Sequence, residues 1–82
     1  MGQREQRYLL ALGLAVAQIR EERGTSAEQL AAATGSELAH VQALEAGRLD
    51  PTYELLLMLA EGLGVRPSAF VIRAEALLAD NR

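Results

Sequence analysis

An all-α domain of five helices is what this 82-residue sequence predicts, and three observations carry that expectation. Apolar residues recur every three or four positions along most of the chain, and no stretch alternates apolar with polar residues for long enough to make a strand. The periodic stretches are punctuated by Gly24, Gly35, Gly47, Gly62 and Gly64 and by Pro51 and Pro67, residue types that stop or start helices. Aromatics make up only 4% of a chain that is 50% hydrophobic, so Leu, Ala, Val and Ile fill most apolar positions, a mix that favours helices over sheets.

The first helix is expected over residues 6–23, where Leu9, Leu12, Val16 and Ile19 share a face and Gly24 supplies the stop. Tyr8, Leu10 and Leu14 form a second apolar stripe off that face, either the flank of a wide core or a contact with a partner subunit. Ser26 and Gln29 have the spacing of a capping box and open a second helix with Leu30, Ala31 and Ala33 on its inner side. Small alanines let a neighbouring helix come close, and Gly35 suits the left-handed residue of a sharp turn. Ser36 reads as the cap of a third helix that ends at Gly47, with Val41 and Leu44 inward. Its outward residues are then Glu37, Leu38, Ala39, His40, Gln42 and Ala43. After a loop at 48–51, with Asp50 or Thr52 as cap, a fourth helix carries Leu55, Leu56, Met58, Leu59 and Leu63 up to Gly64. Pro67 fits the first turn of a fifth helix, in which Phe70, Ala74, Leu77 and Leu78 form an apolar stripe. Residues 1–7 read as a polar tail, 8–66 as the core domain, and 67–82 as a C-terminal helix able to serve in dimerisation.

Composition excludes several function classes. The chain has no cysteine, hence no disulfide, thiolate metal site or cysteine nucleophile. The longest apolar run, residues 55–60, is far too short to cross a bilayer, and the first seven residues are too polar for a secretory signal, so a cytoplasmic protein with no membrane partner is expected. A single histidine, no phosphate-cradling glycine loop and no convergent acid cluster leave little from which to build an active site; neither an enzyme nor a cofactor is expected. The formal net charge of −3 is not that of a strongly basic nucleic-acid binder, although average charge says nothing about local patches.

Order and spacing of the pieces carry a resemblance. Leu12-Gly13 and Arg20, GTSAEQLAAATG at 24–35, VQALEAG at 41–47, Pro51 with Leu56, Leu59 and Ala60, and then Leu63-Gly64-Val65 together resemble the XRE family of helix-turn-helix domains, of the lambda-repressor and Cro type. The resemblance implies a salt bridge between Arg20 and Glu45 joining the first helix to the end of the third, an architectural contact in which a guanidinium grips a carboxylate bidentately. It implies a DNA-binding transcriptional regulator whose third helix lies in the major groove. Leu38, Ala39, Gln42 and Ala43 are then expected at base edges, with Glu37 and His40 beside them, and Ser26, Ala27 and Arg48 at the DNA backbone.

The sequence departs from the family where it matters. Ala27 stands where glutamine is frequent, and Leu38, Ala39 and Ala43 stand where polar or basic residues are common. Such side chains can meet a thymine methyl but make no bidentate bond to a purine, which leaves Gln42 as the outward residue able to both donate to and accept from adenine. A homodimer is expected, with Phe70, Val71, Ala74, Leu77 and Leu78 as its interface, joined by Tyr8 or Leu10. The competing reading is a protein-interaction module, antitoxin-like or otherwise a partner of another regulatory protein, with weak or no DNA binding.

Overall fold

The computed structural model describes residues 2–80, so Met1 of the expected tail and Asn81 and Arg82 of the expected last segment lie outside the described residues. Five helices follow one another: α1 (Gln3–Glu22), α2 (Ala27–Thr34), α3 (Leu38–Glu45), α4 (Tyr53–Leu63) and α5 (Pro67–Asp80). No strand occurs among the described residues. The polar segment before Tyr8 is thus not a tail: Gln3 to Arg7 are the opening turns of α1. Their helix propensity is good, and Gln6 gains a tertiary hydrogen bond described below.

Val16 and Ile19 of α1, Leu30 of α2, Val41 and Leu44 of α3, Leu59 and Leu63 of α4 and Phe70 of α5 form one continuous core. A satellite cluster of Ala11, Ala15 and Ala74 joins α1 to α5, flanked by Leu12, Leu77 and Leu78. These alanines let the two helices lie close, and α5, which leaves α4 at 101°, runs back along α1 in the opposite sense. The C-terminal helix is therefore part of the domain and not an appendage to it: Phe70, fully buried, fills the centre of the core.

Ala33, read as inward, is exposed, and so is Met58 among the apolar residues of α4. The buried arc of α2 centres on Leu30 and Ala31 with Ala27 and Thr34 at its edges, and Ala33 falls off it; Met58 lies in the same way beside the arc of Leu55, Leu59 and Leu63 on α4. The stripe Tyr8, Leu10 and Leu14 is outside as well, at 51%, 49% and 46% exposure, so it is not the flank of the core.

One glycine sets the spacing between α1 and α3. A Cβ at Gly13 would run into the carbonyl oxygen of Leu44, so only glycine lets the first helix pass against the end of the third. Among the described residues no single helix is long and apolar enough to cross a membrane.

Candidate nucleic-acid interface

The α2–α3 unit is built by local rules. Ser26 Oγ accepts from the Gln29 backbone N–H at 3.0 Å, and Gln29 Oε1 accepts from the Ser26 N–H at 2.8 Å, a complete capping box. Gly35 ends α2 in the left-handed region at φ 70°, which turns the chain sharply towards α3. The cap of α3 is Glu37 and not Ser36, and its side chain makes no capping bond. Ser36 is diverted because its hydroxyl is paired with the Thr34 hydroxyl at 3.0 Å, while Thr34 Oγ1 also donates back to the Leu30 carbonyl at 2.9 Å.

Two polar tethers from α1 fix the last turn of α3 and its exit. Arg20 Nε donates to Glu45 Oε2 at 2.7 Å and Nη2 to Glu45 Oε1 at 3.0 Å, while Nη1 donates to the Thr25 carbonyl at 2.9 Å. One guanidinium therefore ties the end of α1 to both the approach to α2 and the last turn of α3. Both side chains of the pair are largely buried, and the hydrogen bond to Glu45 raises the Arg20 pKa above its ordinary value. At the exit of α3, Gln6 Nε2 donates to the Gly47 carbonyl at 3.1 Å. The first turns of α1 thus hold the loop that carries Arg48.

The outer flank of α3 is uncovered. Glu37, Ala39, His40 and Gln42 are exposed, Ala43 is half-buried, and Ser26 and Arg48 are exposed nearby. Leu38 and Ala27 are less free than the sequence suggested: both are half-buried and pack against the core, Leu38 because it stands one turn before Val41 on the inner side of α3. No arginine lies on α3 itself. Other arginines are engaged elsewhere: Arg73 grips Glu22 at 2.7 and 2.9 Å and donates to Gln18, and Arg23 donates to the Leu63 carbonyl at 3.0 Å. Arg7 borders a groove between α1 and α5, and Arg66 one between α4 and α5. Among the described residues no group of three His, Asp or Glu side chains converges to hold a metal ion.

The expected dimer stripe is divided by the fold. Phe70 and Ala74 are buried within the chain and cannot meet a partner: Phe70 fills the core, and Ala74 lies against Ala11 and Ala15. Val71 is exposed beside Tyr53, Leu56 and Pro67, whereas Leu77 and Leu78 are half-buried in the α1–α5 groove with Leu10 and Leu14. Sequence reasoning missed Gln6, Thr25 and Tyr53. Gln6 and Thr25 act through a backbone carbonyl or as one, for which the sequence carries no side-chain signature. Tyr53 had a signal, a large aromatic at a helix start off the apolar arc.

Known proteins of this shape are regulators by their descriptions. The clp gene regulator ClgR from Corynebacterium glutamicum superposes with a TM-score of 0.86 at 28% identity, covering 90% of this chain and 79% of that one. The restriction-modification controller protein C.AhdI from Aeromonas hydrophila gives 0.74 at 27% identity, covering 76% and 94%. The controller C.Esp1396I, solved as a tetramer in complex with its natural 35 base-pair operator, shares the fold with a TM-score of 0.75 at 22% identity, covering 84% and 91%. No curated protein matches the chain. A family model described as HTH_3, helix-turn-helix, matches residues 16–70, well over half of the sequence, and it spans the capping box, the glycine turn, α3 and the Arg20–Glu45 clasp. The chain belongs to the HTH_3 helix-turn-helix family.

Proposed function

We propose that this protein is a DNA-binding transcriptional regulator of the cytoplasm that lays α3 in the major groove and acts as a homodimer. The observation that carries this reading is the bare outer flank of α3, held at a fixed angle by the Arg20 clasp in a chain of the helix-turn-helix family. Operator binding by a protein of the same fold supports it. Ala39 and Ala43 meet base edges through their methyl groups, Gln42 reads an adenine edge, and Glu37 and His40 flank them. Ser26 and Arg48 meet phosphates, while Ala27 and Leu38, half-buried, contribute only the edges of their side chains.

Pairing of two copies is best served by the face of Tyr53, Leu56 and Val71. Tyr53 is 71% exposed and directly follows the loop after α3, so joining two copies there brings their α3–α4 loops together. Half-sites about one duplex turn apart, roughly 34–36 Å, are then expected.

A fluorescence titration against pooled duplex DNA at several salt concentrations tests the reading. Affinity should fall steeply with salt; Arg48→Ala should weaken binding to all sequences alike and flatten the salt slope, and Gln42→Ala should change which sequence is preferred. The alternative, a module that binds another regulatory protein through the alanine-rich flank, is favoured by the lack of any arginine on α3. It predicts no DNA binding at any salt.

A further inference from the structure

The back of α1 is only partly covered, by the Gly47 loop beside Leu10 and by Leu77 and Leu78 of α5, and the pattern it leaves exposed is self-complementary. Arg7, Leu10, Leu14 and Glu21 lie along one side of the helix, with Leu10 and Leu14 about half exposed and Arg7 and Glu21 exposed. Neither Arg7 nor Glu21 has an ion-pair partner among the described residues; the two ion pairs present use Arg20 with Glu45 and Arg73 with Glu22. Leu77 and Leu78 of α5 border the same face and widen its apolar part.

Leu14 sits midway between Arg7 and Glu21, which are about four helical turns, or roughly 21 Å, apart. A two-fold axis crossing α1 at Leu14 therefore pairs each position with the one equally far on the other side. Leu14 meets Leu14 of the second copy, Arg7 meets Glu21 of the second copy, and Glu21 meets its Arg7. Leu10 lies over the small Ala17 and the stem of Gln18, both half-buried. Such an axis keeps flanking helices on the same side, so α5 lies beside its counterpart and Leu77 and Leu78 of both copies close the seam. The charge at each end of the face is opposite to what the same end meets, so the antiparallel arrangement is favoured and the parallel one sets like charges together.

We infer that the α1 face is an interface with a second copy of this chain, distinct from the Tyr53 face, packing two α1 helices antiparallel about Leu14 and locked by two Arg7–Glu21 pairs. The two grooves share no lining residue, so one copy can use both faces at once and pairs can join into larger assemblies. A seam of essentially one helix per side covers less than the area of a standard stable interface, so the association is weak and depends on concentration and salt. This inference does not rest on DNA binding.

Sedimentation of the full chain over a wide concentration range at low and high salt tests it. A concentration-dependent step is expected at low salt, and Arg7→Glu or Glu21→Arg alone should weaken it about tenfold, since each places like charges together at both ends. The double variant Arg7→Glu with Glu21→Arg should restore it, and mixing the two single variants should restore it too. Val71→Asp, on the other face, should leave this charge-sensitive step in place, and unchanged thermal melting of every variant should show that folding is intact. Absence of the step, indifference to the single reversals, failure of the double variant to recover it, or its loss in Val71→Asp would each overturn the inference.

Discussion

The third and fifth helices carry the same kind of sequence signal and end in different situations. α3 rests on α1 and α2 along one side, so Val41 and Leu44 are sealed while Ala39, His40 and Gln42 stay bare. α5 lies in the angle between α1 and α4, and its apolar residues divide: Phe70 and Ala74 inside, Val71 out beside Tyr53, Ile72 out beside the end of α1, and Leu77 and Leu78 at the edge of α1. A short helix held from one side divides into an inner and an outer half. A longer one gripped by two neighbours divides along its length as well, so its apolar spacing names a face without naming what that face meets.

The largest test of that contrast is Phe70→Ala against Val71→Ala. Emptying the buried Phe70 site should cost about 3–5 kcal/mol in denaturant unfolding, whereas Val71→Ala should change stability by less than about 0.5 kcal/mol. Comparable losses would mean that α5 is not divided as described. Next in size is the clasp that orients α3. Arg20→Met or Glu45→Gln alone should destabilise by roughly 3 kcal/mol, because Arg20→Met strands the largely buried Glu45 carboxylate and Glu45→Gln strands the Arg20 guanidinium. Changing Arg20 and Glu45 to apolar residues together should cost less than Arg20→Met alone, and a double-mutant cycle reads the difference. A smaller effect, about 1 kcal/mol, is expected for Gln6→Ala, which leaves the Gly47 carbonyl without its side-chain donor. Its DNA affinity should also fall if the loop bearing Arg48 is held from α1, and unchanged affinity would detach Gln6 from the interface.

The smallest expected effect lies at the exposed pair between α5 and the end of α1. Arg73 hydrogen-bonds Glu22 and holds its carboxyl below the ordinary value of 4.5, so the folded state binds that proton less readily than the unfolded chain. The pair's contribution is present above that pH and is lost as pH falls below it. Glu22→Gln should therefore flatten a small part of the acid limb of a stability profile while leaving neutral pH almost unchanged, as befits an exposed pair.

How far the site could be read before folding differs between its parts. The capping box at Ser26 and Gln29, the left-handed turn at Gly35, and the inward placing of Val41 and Leu44 were all legible, since each depends on residues within about one turn of helix. Arg20 and Glu45 could be paired only through the family resemblance, because nothing local links positions in different helices. Ser36 shows local reasoning failing by a small margin: a hydroxyl at a helix start had a nearer partner in Thr34.

By itself the sequence determined that five helices form, where most of them stop, and which side of each is apolar, because propensity, capping and period act through neighbours along the chain. Only the tertiary structure decided that Gln6 reaches Gly47, that Phe70 belongs to the core and Tyr53 to the surface, and that the Leu10 and Leu14 stripe faces outward. Exposure is a property of what lies across from a residue, and that depends on how distant helices are angled and spaced. Here Gly13 and the alanines between α1 and α5 set that spacing through the side-chain atoms they lack.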